Sequence, residues 1–438
     1  MPLIKIPFDQ HEIEINIESR NLMGILEPKY KAALSNPQEK IREVLMKPIN
    51  SRPLAESVGG KRKACIVVTD ITRPCPDDLL LPLIIDELEK GGIETENITV
   101  LVATGLHRAN TQEELLLKLG KDICRRIKIV NHVASDRSSL VNLGKTGLGC
   151  PIWVNKLVAE ADFTISTGII EPHFFAGFSG GCKGIAIGVA GEETIKFQHS
   201  PEVFDHPQTQ LGNLTGNIFH QNVMEIAKVA GLDFIVNVIL NHEGKIGGVV
   251  AGDMEKAYLH GVDVAREIYQ VEIAEQADIV IAGVGYPKST NLYQGTRGAS
   301  CIAFSQYPLV KKGGIVITPI PAEEGPGEGL GERRFYEIMK NAGDLDSLIN
   351  DIRANGYPAG GQRAYLLALT LKHAELIITN TQASEAVENM FMKSMPDLEN
   401  ALKYGIKRFG DKAKIMVVPH SIQVMTVENN KNKATYIT

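Results

Sequence analysis

The residues best equipped for chemistry fall in five short polar stretches, each close behind an apolar run. The first is Thr69-Asp-Ile-Thr-Arg-Pro-Cys-Pro. Arg73 can offer a planar fork of donors to a carboxylate or phosphate, and Asp70, three residues earlier, can orient that fork. The same pair also suits a structural ion pair at the start of a helix. The second stretch, Thr104-Gly-Leu-His-Arg, carries His107 behind a turn that Gly105 permits. A histidine at the end of a strand is suited to acid–base work near neutrality, or is a solvated loop residue. The third and richest stretch is Gly168-Ile-Ile-Glu-Pro-His-Phe-Phe-Ala-Gly-Phe-Ser-Gly-Gly-Cys-Lys-Gly. Ser179, Gly180 and Gly181 lie where the backbone can come close to a cofactor and turn N–H groups toward it. His173 opens this stretch and Lys183 closes it. A lysine in such a loop is either a phosphate ligand or a nucleophile able to form a covalent link. The segment lacks the Gly-Lys-Ser/Thr ending of a nucleotide-hydrolysing loop, which excludes that class. The fourth stretch holds His199, one imidazole of the kind that binds nickel, copper or zinc, or a helix-end histidine. The fifth gathers Tyr293, Gln294 and Arg297, a set fit for substrate contacts.

Reactive groups of this kind need a scaffold that brings distant segments to one edge. Nine apolar runs read as strands: Ala64–Thr69, Ile98–Ala103, 127–131, 163–168, Phe234–Leu240, 279–284, 314–319, 376–379 and Ile415–Val418. Helical patterns such as Asp77–Lys90, Gln112–Leu119 and 151–160 separate many of them. Strands apolar throughout, joined by helical crossovers, predict mainly parallel sheets covered by helices, an α/β protein. In such sheets ligands sit beyond the carboxyl ends of the strands, where the polar stretches fall. With 438 residues the chain is too long for one core. We expect two domains with the active site in the cleft between them: 1–272 holding the cofactor and 273–410 adding substrate contacts, with 411–438 folding back onto the first. The glycine- and acid-rich loop from Pro321 to Glu332 reads as a mobile flap at that cleft, or as a plain surface loop.

Net charge is −6 with no basic block, which argues against a nucleic-acid partner. No apolar stretch reaches membrane-spanning length, and the first residues alternate apolar and polar like a strand rather than a secretion signal. Six cysteines, at 65, 75, 124, 150, 182 and 301, form no CxxC pair and suit a reducing cytoplasm.

Taken together, and above all through Glu-Pro-His-Phe-Phe-Ala-Gly-Phe-Ser-Gly-Gly with its following lysine and later histidine, the chain resembles the nickel-dependent lactate racemase family. The match runs from the strand before Asp70 to the loop after Pro321. The resemblance implies a nickel-pincer nucleotide, a pyridinium mononucleotide with two sulfur-bearing arms that separate biosynthetic enzymes supply. It implies that Lys183 anchors this cofactor covalently and that His199 is the protein ligand to nickel. It makes His107 and His173 the acid–base pair, one for each enantiomer of a 2-hydroxy acid. Arg73, supported by Asp70, holds the substrate carboxylate, and Tyr293 and Gln294 line the pocket. Where lactate-specific members carry a lysine and a tryptophan near the substrate, this chain carries Arg297 and Tyr357, which suggests a more polar substrate such as a malate-like diacid or a sugar acid. The alternatives are a racemase of lactate itself, a NAD-dependent hydroxy-acid dehydrogenase, whose glycine fingerprint is missing, and a non-catalytic nucleotide-binding protein, which leaves three histidines without a role.

Overall fold

The computed structural model describes residues 3–358 and 360–429. Two six-stranded sheets form its frame. Across the first sheet the order is Ile246–Gly252, Phe234–Leu240, Phe163–Ile169, Ala64–Thr69, Ile98–Ala103 and Lys128–Asn131. Neighbours are parallel except the antiparallel edge pair Phe234–Leu240 and Ile246–Gly252. The second sheet is parallel throughout, in the order Lys393–Met395, Glu375–Thr379, Val310–Pro319, Ala277–Ala282, Ile415–Val418 and Leu22–Ile25. Phe163–Ile169 and Phe234–Leu240 are buried along their whole length. That is why they read as unbroken apolar runs rather than as alternating ones. All nine expected strands are present, with ends moved by a few residues, and the α/β architecture with two helix-covered sheets is as expected.

Four expectations need correction. The described part of 411–438 does not return to the first sheet. Ile415–Val418 is an interior strand of the second, between Ala277–Ala282 and Leu22–Ile25. Its four residues are all buried, as an interior parallel strand requires. Met425–Glu428 then pairs with Gln270–Ile273, and residues 430–438 lie outside the described residues. The N-terminal strands also belong with the second sheet, since Ile4, Ile6, Ile15 and Ile17 share a core with Ile279, Ile315 and Ile415. The expected helix over 151–160 is a strand, Pro151–Asn155, paired with Leu140–Lys145, followed by one turn at Lys156–Ala159. Its Pro-Ile-Trp-Val start favours the extended form. The loop after Pro321 is not a free flap. Its backbone is bonded to the segment that carries Tyr293: Leu292 and Tyr293 donate to the carbonyls of Gly325 and Pro326, and Glu324 donates to Thr290. Among the described residues no helix is long and apolar enough to cross a membrane.

One buried ion pair ties the polar loops to this frame. Lys118 Nζ lies 3.0 Å from Asp77 Oδ2, and both side chains are almost fully buried. Lys118 also donates to the carbonyls of Arg73 and Cys75, at 3.1 and 3.3 Å. Asp77 accepts from Thr167 Oγ1 on the Phe163–Ile169 strand at 2.7 Å. The loop of Asp70 and Arg73, the helix behind His107 and the central strand thus meet at one point. Removing one partner of a buried pair leaves the other charge uncompensated and costs about 3–5 kcal/mol, whereas replacing both with apolar residues is often near neutral. Lys118→Met is therefore expected to lower the unfolding free energy by about 3–5 kcal/mol in urea titration, and adding Asp77→Leu to restore more than half of that loss. A Lys118→Met variant within 1 kcal/mol of wild type would refute this role.

Candidate active site

The polar stretches converge beyond the carboxyl ends of the first sheet. Asp70 follows Ala64–Thr69 and is 3% exposed. Its Oδ2 is 2.6 Å from Nδ1 of His107, which follows Ile98–Ala103. Its Oδ1 accepts from the backbone N–H and hydroxyl of Thr72, at 3.1 and 2.6 Å. Burial alone would raise this carboxyl. The hydrogen bonds from His107 and Thr72 and the charge of Arg73 outweigh it and hold Asp70 ionised, below its ordinary value. An ionised Asp70 holds a proton of His107 on Nδ1, so Nε2 is the nitrogen that can exchange a proton with a ligand. Asp70 therefore supports the histidine, where the sequence suggested support for Arg73. Arg73 stands beside both, its N–H bonded to the Asp70 carbonyl.

His173 has the opposite arrangement. Its Nδ1 accepts the backbone N–H groups of Phe175 and Ala176 at 3.3 and 3.2 Å, which places the proton of the neutral ring on Nε2. Burial, followed by the charges of Lys183, Arg297, Arg73 and His199, pushes its pKa well below the ordinary histidine value.

Lys183 ends the glycine-rich loop and begins a wide helical turn, Gly184–Gly188, seated directly on the sheet. A methyl group at Gly184 would meet Ser166 Oγ at 2.4 Å, and one at Gly188 would meet Ala103 Cβ at 2.5 Å, so only glycine allows this approach. The N–H of Gly105 donates to the Gly188 carbonyl at 2.8 Å, joining the His107 turn to the Lys183 turn. Among the described residues no carboxylate forms an ion pair with Lys183. Burial, then Arg73 and Arg297, drive its pKa well down, toward the neutral amine that a nucleophile requires. The groups expected to hold a cofactor directly are otherwise engaged: Ser179 donates its hydroxyl to the Ile169 carbonyl at 2.7 Å, and Gly181 donates its N–H to Asn237 Oδ1 at 2.8 Å. Gly180 is packed against Ile169 and Asn237. These three residues shape the loop that presents Lys183.

His199 caps the short helix Glu192–Gln198. Its Nδ1 donates to the Ile195 carbonyl at 2.8 Å, so Nε2 carries a free lone pair, and burial lowers its pKa to about 4. A ring held by a backbone carbonyl with the other nitrogen bare is the usual state of a metal-bound histidine. Among the described residues no three His, Cys, Asp or Glu side chains group around a metal position.

The second sheet supplies the opposite wall. Gln294 accepts from Arg297 Nη1 at 3.1 Å, so it steadies the guanidinium that the sequence grouped with it. Tyr293 packs edge-on against Phe335. Phe204, which stacks on Phe175 and lies edge-on to His199, faces Tyr357 at 6.5 Å. The Tyr357 hydroxyl is buried and, among the described residues, has no hydrogen-bond partner.

Profiles of two domain families, Lactate racemase N-terminal domain and Lactate racemase C-terminal domain, match residues 8–212 and 272–426. The chain is 35% identical over 433 residues to a lactate racemase of Lactiplantibacillus plantarum, covering 97% of this chain and all of that protein. This chain belongs to the lactate racemase family. A lactate racemase of Thermoanaerobacterium thermosaccharolyticum is 34% identical over 436 residues, covering 98% of this chain and all of that protein. The apoprotein structure of a lactate racemase from that organism superposes with a TM-score of 0.89 at 32% identity, over 98% of this chain and all of the other. A Thermotoga maritima protein shares the fold alone, with a TM-score of 0.69 at 19% identity over 92% of this chain and all of the other.

As a member of a racemase family the protein is an isomerase, and its pocket is notable for unbalanced charge. Arg73, Lys183, Lys288 and Arg297 all lower the pKa of at least one group here, against the carboxylates of Asp70 and Glu171. Lys288 and Glu171 were missed as pocket residues. Glu171 stands inside the glycine-rich stretch and Lys288 directly follows the Gly-Tyr-Pro turn, but neither has a spacing that marks it. His220 belongs to the layer under the loop: it stacks on Tyr258, whose ring a methyl group at Gly181 would strike at 2.6 Å. Burial lowers the His220 pKa from 6.5 to about 4. A depressed histidine leaves the unfolded chain binding more protons between those values. Its contribution is therefore complete above the unfolded value and is lost as pH falls toward 4. Urea titrations should show stability declining across this window, with about 3 kcal/mol from His220, and His220→Gln should flatten the decline. A slope identical in both proteins would contradict the assignment.

Proposed function

We propose that the protein racemises or epimerises a 2-hydroxy acid by moving the α-hydrogen as hydride to a nickel-pincer nucleotide tethered at Lys183 and coordinated by His199. The observation that carries this reading is the pair of histidines held through Nδ1, His107 by the Asp70 carboxylate and His173 by the backbone N–H groups of Phe175 and Ala176. The α-hydrogen beside a carboxylate is a very weak acid, so its removal as hydride, coupled to loss of the hydroxyl proton, is the easier route. The donor set fits the cofactor: a low-pKa lysine for a covalent link, and one imidazole with a free lone pair for a metal whose other donors come from a small molecule. When bound, that group supplies a reversible acceptor for the hydride.

The chain's own residues do the rest. Arg73 holds the C1 carboxylate. Nε2 of His107 takes the hydroxyl proton of one enantiomer, and Asp70 stabilises the resulting imidazolium. The flat 2-keto acid then presents its other face, and the oxygen takes a proton from His173, which must first bind a second proton as imidazolium and ends as the neutral ring, while His107 returns its proton to solvent. The charges that keep His173 neutral are offset once anionic ligands enter. The reverse direction uses the same residues in the opposite order. Phe174, Phe175 and Phe204 line the approach and keep water from the reacting carbon.

Arg297 and the unpartnered Tyr357 hydroxyl favour a substrate with polar groups beyond the C1 carboxylate, such as a malate-like diacid or a sugar acid. A buried donor or acceptor left unmatched costs about 1–3 kcal/mol, which a small apolar substituent does not recover. Free thiols throughout suit a reducing compartment such as the cytoplasm, where separate enzymes supply the cofactor. The test compares kcat/KM for lactate, malate and gluconate in protein whose adduct has been mapped to Lys183, with wild type and Arg297→Lys. Malate or gluconate should be preferred by wild type, and the variant should lose about tenfold or more on that substrate. Lactate as the best substrate of both proteins would overturn the polar-substrate reading.

A further inference from the structure

Arg363 stands behind the substrate wall and has no part in the chemistry above. It lies in the helix Gln362–His373 and is 5% exposed. Its three donors reach only neutral acceptors: Nε to the Tyr293 carbonyl at 3.2 Å, Nη1 to Ser300 Oγ at 3.2 Å and Nη2 to Thr296 Oγ1 at 2.7 Å. Among the described residues no carboxylate pairs with it. These acceptors form the back of the turn that carries Tyr293, Gln294 and Arg297 on its pocket side. An arginine in this position is expensive in an empty protein, because a buried charge needs an opposite charge nearby. A methionine or leucine fills similar space without that cost. The neighbouring charge here is another cation, Arg297, and the two oppose one another: burial and Arg297 bring the Arg363 pKa down to about 9. Two adjacent guanidinium groups, one fixing the turn and one facing the pocket, form a cationic wall that is complete only when an anion lies against it.

We propose that Arg363 is a positioning residue of the substrate pocket, holding the Tyr293–Arg297 turn and making that wall selective for a ligand carrying a second carboxylate. The inference rests on the polar-substrate reading and gives it a chemical class, dianionic 2-hydroxy acids. It requires a trade: the residue strains the empty protein and strengthens the complex.

The test uses the full chain without cofactor, so it is independent of turnover. Tm is measured in malate and in sodium chloride of equal ionic strength, for wild type, Arg363→Lys and Arg363→Met. Malate should raise the wild-type Tm above the chloride control. Arg363→Met should be at least as stable as wild type in chloride and lose more than half of the malate shift, with Arg363→Lys intermediate. A buried brace without an electrostatic role predicts the reverse: a lower Tm in chloride for Arg363→Met and an unchanged malate increment. That result, or no malate shift in wild type, overturns the proposal. A normal malate shift alongside turnover best on lactate would instead fault the substrate reading.

Discussion

The burial of several positive charges together, beyond the carboxyl ends of the first sheet, is the interaction on which the rest of this structure depends. Arg73, Lys183, Lys288 and Arg297 come from four separate segments and share a space that holds two carboxylates, one of them already committed to His107. Burial first, and the neighbouring like charges second, favour deprotonation of whichever group can lose a proton. The arginines do so least, so the burden falls on Lys183 and His173. The amine becomes a candidate nucleophile and the imidazole stays neutral, both without a dedicated base. The same field attracts anions, and a cofactor phosphate and a substrate carboxylate are both anions.

Holding that field in place falls to close backbone packing more than to side-chain bulk. The Lys183 turn can press onto the sheet because Gly184 and Gly188 bring no side chain to Ser166 and Ala103. The Asp77–Lys118 pair pins the Arg73 loop from below, and Asn237 pins Gly181 from the adjacent strand. On the far wall, the loop after Pro321 is bonded along its backbone to the Tyr293 segment. Asp70 and His107 follow strand ends, while Lys183 and His199 sit at the ends of helical turns packed on the same sheet.

Much of this was readable from the amino-acid order, because strand ends and polar stretches are local signals. The apolar runs marked the strands, and the residues just after them included Asp70, Arg73, His107, His173, Lys183 and His199. What escaped was pairing between distant segments. Nothing in Lys-Ile-Met-Val-Val says that this strand inserts between residues 22–25 and 277–282, since any buried parallel strand reads the same way. Asp70 was placed beside Arg73 by proximity in sequence, yet its stronger partner is His107, 37 residues away. Ser179 and Gly181 looked like free donors because the residues that occupy them, Ile169 and Asn237, sit on the sheet. Lys118, Arg363 and Lys288 each belong to an ordinary helix or turn pattern, and only the fold gives their charges a meaning.

The central proposal is that the α-hydrogen travels as hydride and returns to the carbon it left. It is tested most directly by following that hydrogen. Cofactor-loaded enzyme is given one enantiomer of its 2-hydroxy acid carrying deuterium at the α-carbon, in ordinary water, and both enantiomers are analysed by mass spectrometry at partial conversion. The account predicts that the product enantiomer keeps its deuterium, because a transferred hydride does not exchange with solvent. Product that carries solvent hydrogen at the α-carbon would show proton abstraction instead and would contradict it.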